Sequence, residues 1–257
     1  MTSSKIGVSA IHVQREMGLG SYQTAWAMLH RYRSVMVRPG RDRLTGEVEV
    51  EVDESYLGGP ESGVAGRGAL GKVLIAGAVE RGPGRSFGRA RLAVIPDAGA
   101  AGLRAFLTDN VEPGARVISD GWPSYPAATR GLYEHHPTTV SASGLAAHEV
   151  LPAVHTVFSL VKRWVMGTLQ GSVSPEHLAA YLDEWVFHFN RRRSGSRGLL
   201  LHRLLAHAAT SDVLTYEQLR KAGRSRSAPP LPPAARALPR SLDLGDVGLP
   251  WRSPDRA

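Results

Sequence analysis

No cysteine occurs in the 257 residues, which excludes disulfides and any thiolate zinc site within the chain. No apolar run reaches the roughly 18 residues that a membrane-crossing helix needs. Met1-Thr2-Ser3-Ser4-Lys5 lacks the apolar core of a signal peptide, so the expectation is a soluble, cytoplasmic protein. Acidic residues are in the minority. There are 23 Asp and Glu against 31 Lys and Arg, a formal net charge of +8. That excess suits a polyanionic partner, because each phosphate neutralised releases condensed counterions, although charge alone does not specify nucleic acid.

The length suits one catalytic domain with appendages. Ser9 caps a predicted helix from Ala10 to Met17, and Gly18-Leu19-Gly20 breaks it. Ser21 caps a second, from Tyr22 to about Met36, with Ala25, Met28, Leu29, Tyr32 and Met36 at helical spacing. Gln14, Arg15, Gln23, Thr24, His30, Arg31 and Arg33 give the pair polar, mostly cationic faces. Two readings stay open here: a helix-turn-helix DNA reader over residues 1–38, with Arg31 among its DNA contacts, or a helical hairpin packed on the main body.

Strands follow. Val48-Glu49-Val50-Glu51-Val52 alternates as a half-buried strand, Val73 to Val79 is a continuous apolar run, and Ala90 to Ile95 is a third. Ala98 to Asn110 reads as a helix, and Arg116 to Ser119 as a fourth strand delivering Asp120 at its end. Tyr133-Glu134-His135-His136 suits a short strand, and Ser141 to Gly144 a loop. Helices are expected from Leu151 or His155 to Leu169, and from Pro175 to Arg193 behind a Ser174 cap. Shorter ones fall at Leu199–Ala209 and Thr215–Lys221. The order gives an α/β domain with a mixed sheet over residues 44–210. Residues 223–257, rich in proline, arginine, alanine and serine, are expected to form a disordered tail.

Asp53 and Asp120 each follow an apolar, β-branched run, which places both at expected strand ends. His155 and Lys162 lie about two turns apart on one helix and share a face with Ser159. Two carboxylates on strands and a third donor from a helix is an arrangement that holds divalent metals against a phosphodiester. Each residue alone also has an ordinary reading, as a turn aspartate or a surface histidine. Gly66-Arg67-Gly68-Ala69-Leu70-Gly71-Lys72 matches the spacing of a phosphate-binding loop. Yet Val73 stands at its Ser/Thr position and a strand, not a helix, follows.

The stretches Leu44–Gly59, Val117–Trp122, Tyr133–His136, Phe158–Arg163 through Gly167-Thr168, and Tyr181–Arg192 resemble bacterial insertion-sequence transposases of the DDE type, in the ISXO-like group. Together they cover roughly residues 8–205. The resemblance implies a ribonuclease-H-like mixed sheet flanked by helices. It implies Asp53, Asp120 and His155 as catalytic metal ligands, with His155 where relatives usually carry glutamate or asparagine. The cofactor would be Mg²⁺ or Mn²⁺, as two ions, with imidazole favouring Mn²⁺. Lys162 and Arg163 would meet DNA phosphate, as would Arg67 and Lys72 from the loop joining the first two strands, and Trp122 would stack on a base or, the favoured reading, pack beneath the site.

The implied partners are the transposon's terminal inverted repeats and target DNA, on which the protein would act as a homodimer. Relatives commonly begin with a cysteine-bearing zinc ribbon; with no cysteine here, a truncated frame or a short form are the two readings. Alternatives to a transposase are an inactive DNA-binding remnant and a ribonuclease-H-like nuclease without strand transfer.

Overall fold

The computed structural model describes residues 7–37, 40–45, 48–58, 72–83, 86–138, 147–169, 175–212 and 214–222. Arg67, Ser174, the 141–144 loop and the 223–257 tail lie outside the described residues.

The central layer is a five-stranded sheet in the order β3-β2-β1-β4-β5. β1 (Val50–Leu57) runs antiparallel to β2 (Val73–Arg81), which pairs antiparallel with β3 (Phe87–Val94). On its other side β1 pairs in parallel with β4 (Arg116–Ser119), and β4 in parallel with β5 (Glu134–Pro137). Three antiparallel strands extended by two parallel ones is the ribonuclease-H-like arrangement that the resemblance implied. The parallel pairing needs a crossover, supplied by α3 (Ala100–Asn110) between β3 and β4. The short α4 (Tyr125–Thr129) joins β4 to β5.

Both faces of the sheet are covered, and side-chain alternation along each strand sorts residues between two cores. Val50 and Val52 of β1, Ala76 and Ala78 of β2 and Val117 of β4 pack against Leu103, Phe106 and Leu107 of α3 and Tyr125 of α4. The opposite face is covered by α6 (Pro152–Thr168), which follows the short α5 (Ala147–Val150), and by α7 (Leu178–Asn190). There Leu57, Ile75, Val79 and Leu92 meet Val154, Val157, Phe158 and Val161 of α6 and Leu182, Trp185 and Phe189 of α7. Gly77 lets α6 settle closely: a Cβ on it would stand 2.8 Å from the Phe158 ring.

One expectation is corrected. Asp53 does not end its strand, because Glu54 to Leu57 continue to pair with Ala76 to Val73, and Asp53 sits mid-strand opposite Gly77. Tyr56-Leu57-Gly58-Gly59 suggests a turn, but β2 offers a full row of backbone partners through Leu57, and that pairing prevails. The α7 helix likewise starts later than expected, after a 3₁₀ turn at Pro175–His177.

The N-terminal pair forms α1 (Ala10–Glu16) and α2 (Tyr22–Ser34). Ser9 caps α1 by accepting from the His12 amide. Leu29, His30 and Arg33 of α2 are buried. The Arg33 Nε stands 2.7 Å from Glu184 Oε2 of α7, with Arg33 stacked 4.3 Å over the Tyr181 ring. The helical pair is therefore packed against α7 on one face, and Tyr22, Arg31 and Tyr32 remain exposed on another. α8 (Arg197–Thr210) and α9 (Tyr216–Ala222) complete the described chain. Arg31 Nε donates to the Leu214 carbonyl at 2.9 Å, ahead of α9.

Candidate active site

Asp53 lies on the central strand, on the face turned toward α6. Alternation puts Glu51, Asp53 and Leu57 on that face and the valines on the other. The Asp53 Oδ1 accepts from the Glu54 amide at 2.8 Å, which holds the carboxylate and leaves Oδ2 free to face the helix. There Oδ2 stands 3.5 Å from His155 Nε2, in the first full turn of α6. Asp53 is only 8% exposed. Burial, followed by the charges of Asp120 and Glu54, pushes its carboxyl up to about 7; the Glu54 amide and Lys162 act the other way.

Asp120 directly follows β4. Its Oδ1 accepts from the Trp122 amide at 3.0 Å, closing a turn that Gly121 makes possible with φ +83°. Trp122 donates its indole N–H to the Ala98 carbonyl at 2.9 Å and packs against the α3-side core, in keeping with a packing role. β1 and β4 are parallel neighbours paired at Val50–Val117 and Glu51–Ile118, so Asp120, just past the end of β4, comes level with mid-strand Asp53.

Lys162 projects from α6 near enough to Asp53 to help hold it ionised. Its own ammonium is pushed below its ordinary range by burial, with Asp53 opposing and Lys72 reinforcing the shift. Lys72, just ahead of β2, and Lys162 therefore stand on one rim, and the exposed Arg163 follows on the helix.

The structure thus brings together Asp53, His155, Asp120, Lys162 and Lys72. Arg31 belongs to the α2 surface. Among the described residues no group of three or more His, Asp or Glu side chains stands ready-formed around a metal position. The donor chemistry nonetheless suits a divalent cation. Two donors on neighbouring vertices of an octahedral ion stand roughly 3 Å apart, close to the 3.5 Å of the Asp53–His155 pair.

Two further groups escaped the sequence reading. Tyr125 of α4 is fully buried. Its hydroxyl is pushed well above its ordinary range by burial, then by Glu54, with Asp53 and Asp120 adding to it. A tyrosine one short turn beyond Asp120-Gly121 was the available signal. Glu51 is the other, and is also fully buried. Its Oε2 accepts from the Ala153 and Val154 amides at 2.7 and 3.0 Å, and Arg81 Nε stands 2.9 Å from Oε1. The arginine contact is close but poorly aligned for a hydrogen bond, so it acts through charge. Burial pushes the Glu51 carboxyl up, while the helix amides and Arg81 oppose the shift.

The ISXO2-like transposase domain model matches residues 43–190, from the segment before β1 to the end of α7. No curated protein matches the chain. Among solved structures, the chain is similar to one described as "Crystal structure of a pre-cleavage Mos1 transpososome", at 14% identity and TM-score 0.33, over 74% of this chain and 64% of that one. It is also similar to "Mos1 transposase paired-end complex with left transposon end", at 16% identity and TM-score 0.37, over 82% of this chain and 68% of that one. The chain therefore spans slightly less than two thirds of the first of these. The family match covers more than half of the sequence and includes Asp53, Asp120 and His155: this chain belongs to the ISXO2-like transposase domain family.

Proposed function

We propose that the protein is a metal-dependent DNA transposase that cleaves at transposon ends and joins the freed 3′-hydroxyl to target DNA. One observation carries this reading: Asp53 Oδ2 lies 3.5 Å from His155 Nε2, with Asp120 near enough for its charge to add to the burial that raises the Asp53 carboxyl. Asp53, Asp120 and His155 are the residues that would hold Mg²⁺ or Mn²⁺. When bound, such ions lower the pKa of an attacking water or hydroxyl and stabilise the departing oxygen.

The chain's own residues supply the rest. The Glu54 amide fixes the Asp53 carboxylate, and the Trp122 amide fixes that of Asp120, so both present a set edge to the cleft. Lys72 and Lys162 form a cationic rim where a phosphate backbone would lie, and the exposed Arg163 is the next proposed contact on the helix. Arg67, outside the described residues, belongs to the same proposed contact, and Arg31 with the exposed face of α2 would meet DNA separately. Terminal repeats and target DNA are the proposed partners, engaged by a homodimer.

The test is incubation of the protein with labelled terminal-repeat DNA in Mg²⁺ or Mn²⁺, beside Asp53→Ala and Asp120→Ala. Metal-dependent nicks and joined products that both variants lose support a transposase. Nicks without joined products point to a nuclease. Retarded migration with no cleavage in either metal points to a DNA-binding remnant, the reading that His155 in place of a carboxylate would favour.

A further inference from the structure

We propose that Glu51 is a positioning residue for this site: by clamping the first turn of α6 to β1, its carboxylate sets the spacing between His155 and Asp53. The proposal rests on the reading of Asp53, Asp120 and His155 as metal ligands.

A helix begins with backbone N–H groups that have no partner within the helix. In α6 those of Ala153 and Val154 are buried under the sheet, where water does not serve them. The helix supplies no cap of its own. Its N-cap residue is Leu151, with no side-chain cap bond, and its first turn has no acidic residue. Both amides are instead taken by one oxygen of Glu51, a residue about a hundred positions earlier on the central strand. A carboxylate at a helix N-terminus is favoured by the helix dipole, and Arg81 balances its remaining charge.

The position of this clamp gives it a role beyond capping. On the strand, Glu51 and Asp53 are neighbours on one face, a single pleat repeat apart, roughly 7 Å. On the helix, Val154 donates to Glu51 and the next residue is His155. The contact therefore joins strand and helix immediately beside both donor groups, and the 3.5 Å Asp53–His155 approach is its direct geometric result. A core filled with leucine at position 51 would bury as much apolar surface without a buried charge, but would leave the start of α6 free to slide along the sheet.

The test compares Mn²⁺ binding, by electron paramagnetic resonance and calorimetry, in the full chain and in Glu51→Leu, Arg81→Met, Asp53→Ala and Leu204→Ala. Glu51→Leu keeps a side chain of similar bulk and removes both acceptor oxygens. Arg81→Met leaves the helix amides bonded and removes the guanidinium that Glu51 shares with Glu49. Leu204→Ala weakens a separate cluster with Val35, Met36 and Phe187, and controls for lost stability.

The expected result is that Glu51→Leu retains its circular dichroism and DNA gel shift while Mn²⁺ affinity falls about 10-fold or more, as for other residues that orient metal ligands. Arg81→Met is expected to lower affinity by a smaller but measurable factor, and Leu204→Ala to leave it unchanged. Unaltered Mn²⁺ affinity in folded Glu51→Leu, with binding lost in Asp53→Ala, overturns the positioning role and leaves the metal site standing. Affinity unaltered in Asp53→Ala as well overturns the metal reading and this proposal with it. Should Glu51→Leu fail to fold, Glu51→Asp decides, since it draws the carboxylate back from the two amides: weaker binding supports the clamp, and equal binding overturns it.

Discussion

The junction between α2 and α7 and the cleft beside β1 bury charge in opposite ways. At the junction, Arg33 and Glu184 meet at 2.7 Å with almost no exposure, so each charge answers the other. At the cleft, Asp53 is nearly as buried, yet its carboxylate neighbour Asp120 shares its sign and the nearest cation, Lys162, is exposed. Desolvating a charge is costly, and the junction recovers that cost through its ion pair. In the cleft the Glu54 amide and Lys162 offset it only in part, and a cation at the proposed site would supply the remainder.

The sharpest way to break this contrast is to remove one carboxylate from each region. Asp120→Ala is expected to lower metal-dependent strand cleavage by roughly 10³-fold or more while leaving the fold intact. Glu184→Ala is expected to do the reverse, costing about 3–5 kcal/mol of stability because Arg33 is left buried and unpaired. Parallel cleavage assays and chemical denaturation check both.

A second measurement uses pH. In the metal-free protein Asp53 titrates at about 7, above its ordinary 3.8, so between these values the folded form keeps a proton that the unfolded form has lost. Stability from this group is complete below the ordinary value and is lost as pH rises through about 7. Asp53→Asn is expected to flatten that decline and raise the melting midpoint near neutral pH by a few degrees. Added Mn²⁺ should do the same for the unaltered protein.

His188, on α7, moves in the other direction. Burial above all, with the Arg191 charge adding to it, depresses it to about 4 from 6.5, although Glu184 Oε1 lies 3.9 Å from its Nε2. At that distance the carboxylate, engaged by Arg33, does not offset burial. Stability from a neutral His188 is present above 6.5 and falls as pH drops through 4, so His188→Gln should reduce the acid-side loss in a melting series. The smallest effect is expected at the surface: Lys221→Gln breaks an exposed 2.6 Å pair with Glu217 and should leave the melting midpoint unchanged within error.

Much of the cleft was legible because its parts are local. The apolar run of β2, the Asp120-Gly121 turn and the helix carrying His155 and Lys162 all announce themselves within a few residues. Glu51 did not. In Val48-Glu49-Val50-Glu51-Val52 the alternation makes the glutamates look solvent-facing, as they would be on a sheet covered on one side only. Here α6 covers the second face, and Glu51 is tolerated there only because Arg81 and two helix amides arrive from far along the chain. The mid-strand position of Asp53 was hidden for a similar reason, since the length of β1 is decided by the pairing that β2 offers. Neither partner is visible in the local pattern, and the same holds for Arg33, whose partner Glu184 lies on a distant helix.

Gly77 extends this dependence on distant neighbours to the thickness of the molecule. With a Cβ 2.8 Å from the Phe158 ring, the hydrogen on this residue is effectively a spacer of zero height between sheet and helix. One methyl there would work as a shim, lifting α6 at a point one turn past the imidazole and widening the 3.5 Å approach between His155 and Asp53. The spacing on which the proposed metal site depends is thus governed by a residue that contributes no functional group at all.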